Sequence, residues 1–425
     1  MATASTQPRV TLLTIMMAMV LPSATAFTPN YDESKVPDYT LPDSLVVAGK
    51  EATDSAAWEK EVRPATLALF QRDMFGRVPV PTQPLNPSVS LESEVADACG
   101  GKAVRREYLL RFSHRNSPSI RLLVYLPKGQ DKVPAFMGLN FRGNQIVEDD
   151  PRIALETGFV LGGKKTGDNT AFAEKNRGTG KERWPVDTIV GRGYALVTAC
   201  CGNIDPDYDD GFENGVHAMF PKPKAEGWGT ISAWAWGLSQ MLTAVGEEIA
   251  EIDAARVAVI GHSRLGKTAL WAGATDPRFA IAISNNSGCG GAALSRRAFG
   301  ETVARINNSF PHWFNANFKN YNGNEAALPV DQHQLVALIA PRPVYVASAT
   351  GDQWADPRGE FLSLLNAVPV YQLYDDQPFG GVTTMPAPGK SVGHRMGYHL
   401  REGKHNITPE DWAHYLDFAD RWLKK

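Results

Sequence analysis

Val257-Ala-Val-Ile260 runs directly into Gly261-His262-Ser263-Arg264-Leu265-Gly266-Lys267, and a helical pattern follows to Ala274. Four apolar residues in a row read as a buried strand. A serine at a sharp turn from strand to helix is a nucleophile elbow. Glycines beside it let backbone segments approach without Cβ clashes. The hydroxyl then stands above the sheet, where the helix N-terminus favours developing negative charge. The common pattern is G-x-S-x-G, whereas here the second glycine comes one place late.

Outward from this turn, strands and helices alternate. Ala135 to Asn140, Ala195 to Ala199, Phe279 to Ser284, Val344 to Ala349 and Val370 to Tyr374 read as strands. Arg105 to Phe112 and Ile120 to Leu126 read as an antiparallel pair with Ser117-Pro118 in the turn. Ile231, Trp234, Leu238, Met241, Leu242, Val245 and Ile249 recur at helical spacing. Thr408-Pro409-Glu410-Asp411 opens a last helix, with Thr as N-cap and Pro at the first helical position. The alternation predicts an α/β fold: a mostly parallel central sheet between helices on both faces. Phe27 to about Asp97 reads as an N-terminal extension with a helix near Trp58 to Phe75, and Ile146 to Arg183 and Ala298 to Pro329 as long insertions. Residues 27–425 are expected to form one catalytic domain.

A serine hydroxyl is a weak nucleophile and needs a base, which an acid must orient. In folds with this elbow the chain order is Ser, acid, His. His405 precedes the capped final helix and suits a loop hanging over the serine; His394 and His399 are the alternatives, and His414 lies inside the helix. The strand ending at Ala349 is followed by Thr350-Gly351-Asp352-Gln353-Trp354-Ala355-Asp356-Pro357. Asp352 is nearer the strand end and is the preferred acid, while Asp356 has the position of a helix brace.

The ends and the composition narrow the class. Val10 to Pro22 is apolar but too short to span a bilayer comfortably, and Ala24-Thr25-Ala26 supplies small residues at a cleavage site. This is the layout of a signal peptide over residues 1–26, cleaved after Ala26, which predicts a secreted or periplasmic protein free of the membrane. Across 425 residues, 43 Lys and Arg against 46 Asp and Glu leave a net charge of −3 and no basic surplus for nucleic acid. Four cysteines are too few for a disulfide scaffold, and none has zinc-ligand spacing, although one bridge is possible. Asp205, Asp207, Asp209 and Asp210 suggest calcium, but Asp210 and Val216 stand where an EF-hand loop needs Gly and Glu. Neither metal nor organic cofactor is expected, and nothing demands a second subunit, so a monomer is expected.

The elbow Gly261-His-Ser-Arg-Leu-Gly-Lys267 resembles that of the glucuronoyl esterases, carbohydrate esterase family 15, whose pattern is G-C/H-S-R-x-G-K. Leu139-Asn-Phe-Arg-Gly-Asn144, Arg192-Gly-Tyr194, Asp205-Pro-Asp-Tyr-Asp-Asp210, Asp352-Gln-Trp-Ala-Asp-Pro357 and the stretch from Tyr398-His399 to Trp412 are similar to its bacterial branch. The resemblance covers the chain from about Leu123 onward. It implies an α/β-hydrolase, without cofactor, that cleaves esters of 4-O-methyl-glucuronic acid on glucuronoxylan, with lignin as the alcohol side. It implies Ser263 as nucleophile, His405 as base, Arg264 at the oxyanion hole, and Lys267, Glu301 and Trp354 around the uronate ring. Many members carry a catalytic Glu after the strand that follows the elbow, where this chain has Asn286. Asparagine cannot supply the negative charge that stabilises an imidazolium, so the chain should resemble members that use the later aspartate, here Asp352.

Elementary chemistry agrees with these roles. Lys267 lies one helical turn beyond Ser263, so both can face one cleft. Arg264 brings a backbone N–H and a guanidinium, and one oxyanion donor is typically worth about 3 kcal/mol in the transition state. The Trp354 indole can lie against a sugar, and Glu301 can accept from its hydroxyls. The expected reaction is acyl transfer: Ser263 attacks the C-6 carbonyl, His405 shuttles the proton, and water frees the uronate. An acetyl xylan esterase is the alternative within the fold, although an acetyl group has no uronate ring for Arg264 and Lys267 to hold. A non-catalytic carbohydrate-binding protein is the alternative outside enzymes.

Overall fold

The computed structural model describes residues 1–2 and 27–424. The apolar leader therefore lies outside the described residues. Ten strands form one sheet: β1 Ser88–Asp97, β2 Ala103–Arg111, β3 Ile120–Pro127, β4 Val133–Asn140, β5 Ala195–Cys200, β6 Ile252–His262, β7 Ile281–Asn285, β8 Val344–Ala349, β9 Ser391–Gly393 and β10 Met396–Arg401. Their order is β9-β10-β8-β7-β6-β4-β5-β3-β2-β1. The run from β10 to β5 is parallel, and the strands at either end are antiparallel. Strands β4, β7, β8 and β10 are buried along their whole length. That is what helices on both faces of a parallel sheet require, and it explains why β4, β7 and β8 read as continuous apolar runs.

Side chains of β6 alternate between two cores. Val257 and Val259 pack with α1 (Thr230–Glu248) and α2 (Arg264–Thr275), against Trp234, Leu238 and Leu270. Ala258 and Ile260 point the other way, into a core with Trp412, Tyr415 and Phe418 of the last helix. The sequence-predicted helix near Trp58 is present as a helical stretch from Ser55 to Phe75, with Trp58, Val62, Phe70 and Phe75 buried.

Two expectations are corrected. Val370 to Tyr374 is not a strand: it is the end of α3 (Pro357–Gln372) and the turn after it. A short, mostly apolar stretch does not distinguish a buried strand from a buried helix end, and the helix is set from upstream by its Asp356 cap. The missing strand is β10, whose Met396–Arg401 backbone pairs with β8. Second, β1 falls within the supposed extension; it is an edge strand with Ser88, Glu92 and Glu94 exposed. The bridge that the sequence left open is not formed: Cys99, Cys200, Cys201 and Cys289 are all free, and the last three are buried.

Register positions the site. Gly261 pairs with Ser284, His262 and Ala347 with Asn285, and Ala349 with Arg401. The elbow, Asn286, Asp352 and His405 therefore leave the carboxyl ends of four adjacent strands, β6, β7, β8 and β10. In open parallel α/β sheets this is the edge at which ligands bind.

Candidate active site

Ser263 has φ 59° and ψ −129°, a left-handed conformation that a side-chain-bearing residue holds only where its surroundings enforce it. Its N–H donates to the Asn285 carbonyl at 2.9 Å, and its own carbonyl accepts from the Gly266 N–H at 2.8 Å. A Cβ on Gly261 would collide with the Leu265 carbonyl. The late glycine is explained as well: a Cβ on Gly266 would press within 3.1 Å of both the Gly261 carbonyl and the Ser287 side chain. Leu265, which stands at the usual glycine place, is buried in the core.

His405 and Asp352 meet over this turn, with Nδ1 and Oδ2 2.6 Å apart. A carboxylate only accepts, so Nδ1 carries the proton and Nε2 is left with a lone pair. The histidine side chain is 42% exposed and the aspartate 4%, so the imidazole is open to the cleft while the carboxylate is enclosed. Asn286, itself left-handed with φ 46°, donates Nδ2–H to the same Asp352 oxygen at 2.7 Å. A second carboxylate at this place would oppose Asp352, whereas an amide supports it.

The alternatives are placed elsewhere. Asp356 caps α3 through the Gly359 N–H at 2.9 Å and pairs with Arg297 at 2.8 Å. His399 is buried between Asp411, 2.8 Å away, and the Tyr345 hydroxyl, 3.0 Å away. His394 lies beside Asp375, and the His414 ring packs on His399.

A cleft of about 320 Å3 brings together Ser263, Arg264, Lys267, Glu301, Asp352, Trp354 and His405. Lys267 and Glu301 are buried 4.0 Å apart, and the ammonium also donates to the Ser287 carbonyl. Burial pushes the Glu301 carboxyl up against the pull of Lys267, Arg264 and the Trp354 indole. Burial likewise pushes the Lys267 ammonium down, with Glu301 opposing it. Two opposite charges held under a half-buried tryptophan suit the hydroxyls of a sugar ring. Among the described residues, no group of His, Cys, Asp and Glu side chains is placed to hold a metal ion.

Sequence reasoning missed the support of Arg264. Its guanidinium is paired with Asp207 and lies over the rings of Trp313, at 4.6 Å, and Phe310, at 5.1 Å. Its Nε–H has no protein partner. Burial would raise the Asp207 carboxyl, but His312, Arg264 and Trp313 together hold it below the usual carboxylate range. Asp207 was legible only as part of an acidic loop, and Phe310 and Trp313 only as part of an insertion. Glu360 on α3 was also missed. Its Oε1 accepts from the N–H groups of Ser287, at 2.7 Å, and Gly288, at 2.9 Å, and its Oε2 from Ser348 at 2.6 Å. It pins the loop that carries Asn286, and burial raises its pKa to about 8.

An elbow on the carboxyl edge of a parallel sheet, with a histidine–carboxylate pair from later strands above it, defines the α/β-hydrolase class of fold. Comparison with known proteins narrows the class. Residues 213–374 match the family model described as glucuronyl esterase, fungi. The chain is 44% identical over 432 residues to carbohydrate esterase MZ0003 from an unknown prokaryotic organism, covering 96% of this chain and 98% of that one. A promiscuous CE15 esterase from a marine bacterial metagenome superposes with TM-score 0.85 at 45% identity, over 93% of this chain and all of that one. The glucuronoyl esterase of Solibacter usitatus superposes with TM-score 0.85 at 41% identity, over 92% of this chain and 99% of that one. The chain belongs to the glucuronoyl esterases of carbohydrate esterase family 15, and it is a carboxylic ester hydrolase.

Proposed function

We propose that this chain is an exported, monomeric serine esterase that hydrolyses esters of 4-O-methyl-glucuronic acid on glucuronoxylan, including those that join it to lignin. The observation that carries the reading is the His405–Asp352 contact at 2.6 Å over a cleft shared by Ser263 and the buried Lys267–Glu301 pair. Ser263 Oγ attacks the C-6 carbonyl and its proton passes to His405 Nε2. Asp352 holds the ring through Nδ1 and stabilises the imidazolium. The oxyanion forms beside the N-terminus of α2, where the Arg264 backbone N–H and side chain supply donors. The imidazolium then protonates the leaving alcohol, and the acyl group stays on Ser263. Water, deprotonated by His405, attacks the acyl carbonyl and releases the uronate and the serine. Lys267, Glu301 and Trp354 hold the sugar ring. No step calls for a cofactor.

Residues 1–26 direct export, with cleavage after Ala26. Among the described residues no helix is long and apolar enough to cross a membrane.

Hydrolysis of benzyl glucuronate by the mature protein, beside Ser263→Ala, Asp352→Asn and Asp356→Asn, tests the reading. Turnover is expected in the wild type and in the folded Asp356→Asn protein, and is expected to be lost in the other two. Turnover of acetylated xylan with none of benzyl glucuronate would overturn the substrate. Loss in Asp356→Asn alone among the acids would move the triad.

A further inference from the structure

A second cavity, of about 210 Å3, adjoins the elbow. Gly261 and His262 line it from β6, and Ile407, two residues beyond His405, lines it from the loop. The His262 ring borders this cavity, the His405 ring borders the cleft with Ser263, and their centroids are 4.5 Å apart. The cavity thus begins one side chain away from the group that would protonate a leaving alcohol.

Its walls are of two kinds. Phe141, Leu161, Trp184 and Ile407 are apolar, and Arg142 and Arg183 are cationic. Arg183 donates Nε–H to the Asn406 side chain at 2.8 Å. Among the described residues neither arginine forms an ion pair, unlike Arg264 with Asp207, Arg297 with Asp356 and Arg401 with Asp411. Burial, and then the charge of Arg142, hold the Arg183 guanidinium below the usual arginine range. His262 does not supply an anion either: its Nδ1 meets Asn285 at 2.6 Å, and burial holds it well below the usual histidine range. Two like charges beside an apolar wall, with no counter-charge, are relieved when an anion enters. A planar guanidinium matches a carboxylate with two parallel hydrogen bonds. A dry cavity of about 150 Å3 accepts benzene, so the space here suffices for an aromatic ring.

We infer that this cavity is a subsite for the alcohol half of the ester, and that it takes an aromatic alcohol carrying a carboxylate. The ring lies against Phe141 and Trp184, and the carboxylate meets Arg142 and Arg183. The inference rests on the esterase reading above and adds to it the chemistry of the leaving group.

The test compares benzyl glucuronate with 4-carboxybenzyl glucuronate in the wild type, Arg142→Gln and Arg183→Gln. The wild type is expected to prefer the carboxylate ester by about tenfold in kcat/KM, chiefly through KM, as a charge-assisted hydrogen bond implies. Raising the salt shrinks this preference. Arg142→Gln brings the ratio close to one, and Arg183→Gln also lowers it. Equal kcat/KM for both esters in the wild type, or a ratio that Arg142→Gln does not move, overturns the inference. Calorimetric titration with free 4-(hydroxymethyl)benzoate separates this failure from failure of the esterase reading. Binding that Arg142→Gln weakens about tenfold, with neither ester turned over, keeps the subsite and removes the glucuronate activity. Turnover of both esters with no binding and no preference keeps the activity and removes the subsite. Binding of the free acid with no preference between the esters marks a site for free acids and overturns the assignment to the alcohol.

Discussion

Two aspartates four residues apart have different partners. Asp352 accepts from His405 and Asn286. Asp356 is shut in with Arg297 and the first turn of α3. Replacing Asp352 by Asn is expected to lower kcat by about 10⁴-fold with the fold intact, as loss of the orienting acid does in such triads. Replacing Asp356 by Asn leaves the buried Arg297 with only the part-exposed Glu33, 2.6 Å away, as counter-charge and is expected to cost about 3 kcal/mol of stability. Paired kinetics and thermal melts would distinguish the two, and the reverse pattern would exchange their roles. Asn286→Asp sets a second carboxylate beside the first. The added negative charge favours the His405 imidazolium, and only the neutral ring can accept the serine proton. The acid limb of the kcat/KM profile should therefore move to higher pH. A profile that stays in place would remove Asn286 from the electrostatics of the pair.

Element by element, the site depends on how one helix is fastened to a neighbouring strand end. Through Glu360, α3 holds the Ser287–Gly288 loop after β7 and Ser348 on β8. Burial raises this carboxyl to about 8 from 4.5. The folded state therefore binds a proton that the unfolded state releases. Its contribution is fully present below about 4.5 and is lost as the pH rises through about 8. A glutamine keeps an acceptor for the loop and does not ionise. In Glu360→Gln the decline of Tm between these pH values should be flatter than in the wild type. Identical declines would mean that Glu360 ionises much as it does in the unfolded chain.

At the scale of the molecule, what holds the fold is the two-sided burial of the parallel strands rather than any crosslink. Cys200, Cys201 and Cys289 are buried thiols, and burial pushes the half-buried Cys99 thiol up to about 12. Reductant is expected to leave Tm unchanged, and all four thiols should become titratable after denaturation. A fall of Tm in reductant would reveal a bridge.

The chain by itself determined the elbow, the alternation of strands and helices, and the candidate residues that the fold brings into one cleft. These signals are local: an apolar strand, a turn of glycines around a serine, a Thr-Pro cap. It also left Asp352 and Asp356 both available, because each lies within a few residues of the same strand end. Only tertiary structure chose between them, by bringing His405 from the far end of β10 to one and Arg297 from an insertion to the other. The same holds for Asp207 beneath Arg264, which comes from 57 residues earlier in the chain. Val370 to Tyr374 misled because composition alone does not say whether a short apolar run is buried as helix or as strand. Its neighbours decide that, and they are neighbours only in the folded molecule.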